Sequence, residues 1–161
     1  MQTPSIIMGI DPGTRVTGYG IIQKEPKLSL IDFGCIRPPS KLALHERYHI
    51  LYESMEKLIQ SFTPHVIAVE SQFVKKNAQS AMKLGMAKGV VYLLAAKYKI
   101  ALYEYAPRKA KLAVVGTGSA SKFQVQKMIQ HLFALPYLPT PEDAADALSL
   151  AICHAHKQQW K

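Results

Sequence analysis

Three short apolar runs follow one another near the start of the chain, each closed by a polar or turn-forming residue. Residues 5–11 are β-branched and apolar and stop at Asp11-Pro12-Gly13, which predicts a buried strand. Residues 17–23 and 28–36 predict a second and a third, and the short links between them favour an antiparallel meander. The period then changes. Over residues 41–61, Leu44, Tyr48, Leu51, Met55 and Leu58 fall on one helical stripe, behind Pro38-Pro39 and with Ser40 as cap. A buried strand at 65–70, a long helix at 77–98 with Asn77 as cap, and a strand at 100–105 follow. Pro107 suits the first turn of a short helix, 107–114, which Gly116-Thr117-Gly118 breaks. A helix starting at Ser119 or Ser121 runs to about residue 133, a proline-rich loop covers 134–141, and a last helix runs from about 141 to 157.

The order βββ-α-β-α-β-α-α-α requires helical crossovers, which are right-handed and join parallel strands. It predicts one α/β domain over residues 1–161, with the tail beyond about 157 set apart. Its mixed five-stranded sheet, a three-stranded antiparallel meander plus two parallel strands, has helices on both faces. In such a sheet the first strand is central and its parallel neighbour ends at Glu70. The long helix carries a row of small residues, Ala81, Gly85 and Gly89. Leu84, Val91 and Leu94 lie on a different face from Met82, Met86 and Leu93, so the helix is expected to be covered on two sides. One cover is its own sheet; the other is a second subunit or a neighbouring helix.

No apolar run reaches the roughly 18–20 residues of a membrane span. The N-terminus lacks the basic region of a secretory signal, and Cys35 and Cys153 have no metal-type spacing. A cytoplasmic chain without a membrane partner is the expectation. Charge adds more. The net charge is +9, and from Ser71 through Pro141 the only acid is Glu104. A solubilising surface usually mixes signs, so a one-signed stretch points to a polyanion such as nucleic acid.

Against that background the few acids are oddly placed. Asp11 ends the first strand, although Asp-Pro-Gly is also a good turn. Glu70 ends an apolar strand where Glu fits poorly unless paired, exposed or bound. Thr140-Pro141-Glu142-Asp143 reads as a capping arrangement, with Thr140 as cap and Pro141 at the first helical position, which explains Asp143 without chemistry. Asp146 is deeper in the helix, and a spacing of three sets it on the face of Asp143. Carboxylates gathered in this way repel unless cations lie between them. Oxygen donors suit Mg²⁺ or Mn²⁺, and a pair of such ions serves phosphodiester hydrolysis.

Four blocks then fall in order: Ile10-Asp11-Pro12-Gly13-Thr14-Arg15-Val16-Thr17-Gly18-Tyr19-Gly20; Ala68-Val69-Glu70-Ser71-Gln72-Phe73 with Asn77, Ser80, Ala81, Lys83-Leu84-Gly85 and Gly89; Val114-Val115-Gly116-Thr117-Gly118-Ser119-Ala120 with Lys122, Val125 and Gln126; and Asp143-Ala144-Ala145-Asp146-Ala147-Leu148. Together they resemble the RuvC family of bacterial Holliday junction resolvases. The resemblance implies a ribonuclease-H-like fold, a homodimer, and paired symmetric nicks across a four-way DNA junction in recombination and repair. Ligatable 5′-phosphate and 3′-hydroxyl ends would result. It implies Mg²⁺, with Mn²⁺ able to substitute and two ions per site, held by Asp11, Glu70, Asp143 and Asp146. Some relatives carry His at the position of Asp143. Phe73 matches an aromatic that stacks on an unpaired base. Lys75, Lys76, Lys83, Arg108, Lys111 and Lys122 are the candidate DNA contacts, and the RuvA and RuvB branch-migration proteins the implied partners.

Other readings remain open on residues alone. An Asp-x-Gly-Thr turn also begins sugar kinases and actin-like ATPases, which usually need two such domains. A junction-binding protein without activity and a nuclease for RNA–DNA hybrids share other features. The six histidines have no metal spacing, and Tyr98, Tyr103 and Tyr105 read as core or interface. Nothing in the sequence assigns Trp160.

Overall fold

Strand β1 (Ile6–Asp11) pairs antiparallel with β2 (Thr17–Gln23), and β2 with β3 (Ser29–Ile36), forming the expected meander. Helix α1 (Leu44–Phe62) crosses to β4 (Val66–Glu70), which lies parallel to β1. Helix α2 (Ala78–Lys97) crosses to β5 (Ala101–Tyr105), parallel to β4. Three helices follow: α3 (Pro107–Val115), α4 (Lys122–Leu132) and α5 (Glu142–Lys157). The sheet order is β3-β2-β1-β4-β5, the ribonuclease-H-like arrangement that the resemblance implies. This computed structural model describes residues 5–71 and 77–157.

The central strands are apolar throughout because both faces are covered. Ile7, Val66 and Ala68 belong to one core with Ala145, Leu148 and Ala151 of α5. Met8, Ile10, Ile67 and Val69 belong to the other, with Leu51 and Met55 of α1 and Val91 and Leu94 of α2. Side chains alternate along a strand. Asp11 therefore shares a face with Ile7, and Glu70 with Val66 and Ala68. Both carboxylates leave the sheet on the side of α5.

Helix α5 lies unusually close to that sheet. A Cβ on Gly9 would overlap the carbonyl of Ala147, and one on Gly18 the carbonyl of Asp143. Glycine is required at both positions by close approach rather than by backbone angle. Gly18→Ala should lower stability by about 1–3 kcal/mol through overpacking. A denaturant titration showing wild-type stability would contradict this contact.

Several expected caps form. Asn77 Oδ1 accepts from the N–H groups of Gln79 (2.9 Å) and Ser80 (3.3 Å). Ser121 and Gln124 make a reciprocal box, at 3.1 and 2.8 Å. Two expectations are corrected. Helix α1 starts at Leu44 and not near residue 41, and Ala43 rather than Ser40 holds the cap position, because Glu46 accepts from the Ala43 N–H at 3.0 Å. Helix α5 starts at Glu142, and the Pro141 carbonyl accepts from the N–H groups of Ala144 (3.0 Å) and Ala145 (3.4 Å). The cap position is thus that of Pro141, which has no side-chain acceptor, and the Thr140–Asp143 arrangement does not form. Capping no longer accounts for Asp143.

On α2, Ala87, Val90, Val91, Leu94 and Ala95 are buried. Its other apolar face is open: Met82 is 59% and Leu93 66% exposed, and a Cβ on Gly85 or Gly89 would meet nothing within 4 Å. Of the two covers expected for that face, no neighbouring helix among the described residues supplies one.

Candidate active site

Register brings the first two acids together. Ile10 pairs with Val69 across the parallel β1–β4 ladder, so the next residues, Asp11 and Glu70, stand side by side at the strand ends. A hydrogen bond joins their side chains. The close seating of α5 on β1 and β2 brings its first turns to the same edge, and with them Asp143 and Asp146. All four carboxylates line one cleft of about 260 Å³, together with Lys111 of α3 and Lys122 of α4.

The cleft carries more negative charge than it can hold unaided. Burial, then the charge and hydrogen bond of Glu70, then Asp146 and Asp143, push the Asp11 carboxyl up to about 9. Burial also raises Asp146; Glu70 and Asp143 add to the rise, while Lys122 and Lys111 oppose it. Lys122 is itself held above its ordinary value, chiefly by a hydrogen bond to Glu142, with Nζ 3.2 Å from the Glu142 carboxylate. A carboxylate that retains a proton at neutral pH because it is buried and has other carboxylates beside it is a position where a cation would be favoured. The donor set, four carboxylates and no sulfur or imidazole, suits a hard divalent ion. Among the described residues, no three His, Cys, Asp or Glu side chains gather tightly enough to hold an ion by themselves.

The other candidates divide. Lys111 and Lys122 are in the cleft. Arg108 is exposed on the first turn of α3 and flanks Gly118. Lys83 does not line the cleft; it sits on α2, where its carbonyl accepts from Tyr48 Oη at 2.6 Å. Phe73, Lys75, Lys76 and Trp160 lie outside the described residues. Besides Lys122, two further lysines of the basic stretch are matched within the described fold: Lys88 pairs with Glu104 at 2.9 Å and Lys97 with Glu56 at 2.6 Å. Gly116 ends α3 at φ 87°, the helix break expected of it. His154 is buried, with Nδ1 2.6 Å from Tyr105 Oη, a structural role.

Sequence reasoning missed two members of the site. Ser149 lines the cleft and donates to the Ala145 carbonyl at 2.9 Å. Its signal was present, since 143, 146 and 149 continue one helical face. Glu142 was read only as a helix-end acid, and its pairing with Lys122 spans two elements that no local pattern connects.

The family described as crossover junction endodeoxyribonuclease RuvC matches residues 7–154. The RuvC protein of Protochlamydia amoebophila is 58% identical over 156 residues, covering 96% of this chain and 93% of that one. The RuvC protein of Vibrio vulnificus strain YJ016 is 50% identical, covering 94% of this chain and 87% of that one. Among solved structures, T. thermophilus RuvC in complex with Holliday junction substrate superposes with a TM-score of 0.89 at 29% identity, covering 96% of this chain and 95% of that one. The yeast mitochondrial Holliday junction resolvase Ydc2, at 17% identity and a TM-score of 0.68, shares the fold.

Proposed function

The chain belongs to the RuvC family of crossover junction endodeoxyribonucleases, and from that premise we propose that it resolves four-way DNA junctions by paired nicks made in the carboxylate cleft. The observation that carries this reading is the meeting of Asp11, Glu70, Asp143 and Asp146 with Lys111 and Lys122 in one cleft of a cationic protein. Asp11, Glu70, Asp143 and Asp146 are the residues that would hold divalent cations, Mg²⁺ first and Mn²⁺ as substitute, two per site. Such ions supply an activated water and a stabilised leaving oxygen. Lys111 and Lys122 face the same space and draw the scissile phosphate towards the acids. Lys122 does so by exchanging the Glu142 carboxylate for a phosphate oxygen of the same charge sign. Exposed cations outside the cleft, Arg108 among them, give affinity for the sugar–phosphate backbone without reading sequence.

The open apolar face of α2 fits a second copy of this chain, which would set two clefts against opposite strands of a symmetric junction. Family membership further points to work alongside RuvA and RuvB in the cytoplasm.

Labelled four-way junction, linear duplex and RNA–DNA hybrid, each incubated with the protein and Mg²⁺, test the reading. Paired nicks in the junction alone are expected, with binding that weakens steeply as salt rises. Cleavage of the hybrid alone, or binding indifferent to salt, would overturn it.

The charge state of Asp11 gives a further expectation. An acid held above its ordinary range keeps in the folded state a proton that the unfolded chain releases. The metal-free protein therefore loses stability as pH rises from about 3.8 towards about 9. Cations that take the place of that proton stabilise most at the upper end of this window. Saturating Mg²⁺ should raise the melting temperature by about 5 °C at pH 8 and by less at pH 5. Equal shifts at both pH values in a thermal melt would remove Asp11 from the ion-binding set.

A further inference from the structure

Helix α4 carries a second surface, next to the cleft, that cleavage chemistry leaves unassigned. Ser121 caps this helix, so Lys122 and Phe123 open it. Lys122 lines the cleft. Successive side chains on a helix diverge by about 100°, and Phe123 accordingly faces a neighbouring direction, where it is 57% exposed. It belongs to neither core. The ring borders a groove of about 340 Å³ formed by the end of α3 and by α4, with Val115 and Met128 as apolar lining and Lys127 and His131 beside them. Lys127, four residues on and so on the same face, lies 5.7 Å over the ring. Among the described residues, no acid lines the groove.

We infer that this groove is a nucleotide subsite in which Phe123 stacks on a base of the cleaved strand and Lys127 meets an adjoining phosphate. The inference rests on the reading of the cleft as a DNA-cleaving site and extends it to a surface one residue away. Three observations converge on it. An exposed aromatic flanked by cations is how proteins hold single-stranded nucleotides, since every base offers a face for stacking. The acid-free rim selects an anionic occupant. The groove also adjoins the cleft: Lys122 and Phe123 are chain neighbours with Cα atoms about 3.8 Å apart, so a strand that leaves the carboxylates past Lys122 meets the ring next. Its partner would be a base freed from pairing near the cut, which a four-way junction can provide at its crossover.

The test uses the full chain and a junction with 2-aminopurine placed in turn at positions flanking the cut, in EDTA so that no strand is cleaved. Wild type should quench the probe at one of these positions. Phe123→Leu, which keeps an apolar side chain of similar bulk, should lose that quenching and raise the junction Kd about 10-fold, whereas Phe123→Tyr should keep both. Lys127→Gln should lower the slope of log Kd against log salt by about one. Because the ring is exposed, unchanged melting curves are expected and serve as the folding control. Wild-type Kd and quenching in Phe123→Leu would overturn the subsite. So would a change confined to oligomeric state, which would assign the groove to a protein partner. A wild-type protein that does not bind the junction at all would instead sink the reading of the cleft.

Discussion

Asp146→Asn is expected to abolish strand cleavage, by about 10³-fold or more, and to leave junction binding at or slightly above the wild-type level. The size follows from the chemistry proposed for the cleft. Metal-assisted hydrolysis lowers the barrier by several kcal/mol, and each ~1.4 kcal/mol is tenfold in rate. Asn is nearly isosteric with Asp but carries no charge and offers one oxygen, so the cation loses a ligand while α5 keeps its place. Binding responds in the other direction because a negative charge has been removed from a cleft that receives phosphate. Asp146 suits this test better than Asp11, since its position in α5 is set by helix packing, whereas Asp11 is hydrogen-bonded to Glu70 and its substitution would disturb a second acid. Single-turnover cleavage and metal-free binding, measured on the same preparation, separate the two effects. Cleavage within about tenfold of wild type would take Asp146 out of the mechanism.

Leu93→Glu is expected to convert the proposed dimer to a monomer and to end paired cutting. Leu93 is 66% exposed on the face of α2 that also presents Met82, Met86 and the bare backbone of Gly85 and Gly89. In a two-fold pair each copy would bring the new carboxylate into the interface, and an unpaired buried charge costs about 3–5 kcal/mol. The dimer should weaken by at least about 100-fold, visible in sedimentation as the monomer mass at micromolar concentration. The fold should survive, since this side chain is two-thirds exposed, and its melting temperature at high dilution should match that of wild type. Nicks, if any, should become independent events on the two strands. A variant that stays dimeric would move the interface elsewhere, and a wild-type protein that sediments as a monomer would remove the dimer altogether.

The strands and helices were legible because each announces itself locally. Apolar runs end at Asp11 and Glu70, helical stripes recur through α1, and Asn77 and Ser121 cap their helices as their types suggest. Even the pairing of Asp11 with Glu70 follows from the order of elements, because the crossover rule makes β1 and β4 parallel neighbours. Failures came at helix starts, where several nearby groups compete for the cap position. Ser40 was a reasonable cap for α1, yet Glu46 reaches back to the Ala43 N–H and starts the helix later. Thr140 was the obvious cap for α5, but the Pro141 carbonyl takes that position. The Thr140 cap does not form, yet Asp143 still lies in the first turn of α5, where an acid suits the positive helix end, so that part of its local account stands. Charge clustering overstated the DNA face in one respect, since Lys88 and Lys97 are matched by Glu104 and Glu56. No linear reading of charge shows which cations the fold itself neutralises.

The contact of α5 with β1 and β2 has a bearing on how such a site tolerates change. At Gly9 and Gly18 the helix and the sheet meet main chain to main chain. At these two points the spacing between the acids of the strands and the acids of the helix is set by main-chain contact, which no rotamer change can adjust. Substitutions in the two cores can shift α1, α2 and the outer helices by fractions of an ångström, as repacking normally does. The seam beneath the carboxylates has no equivalent slack. The hydrophobic interior can drift in composition while the cutting geometry stays registered to the backbone.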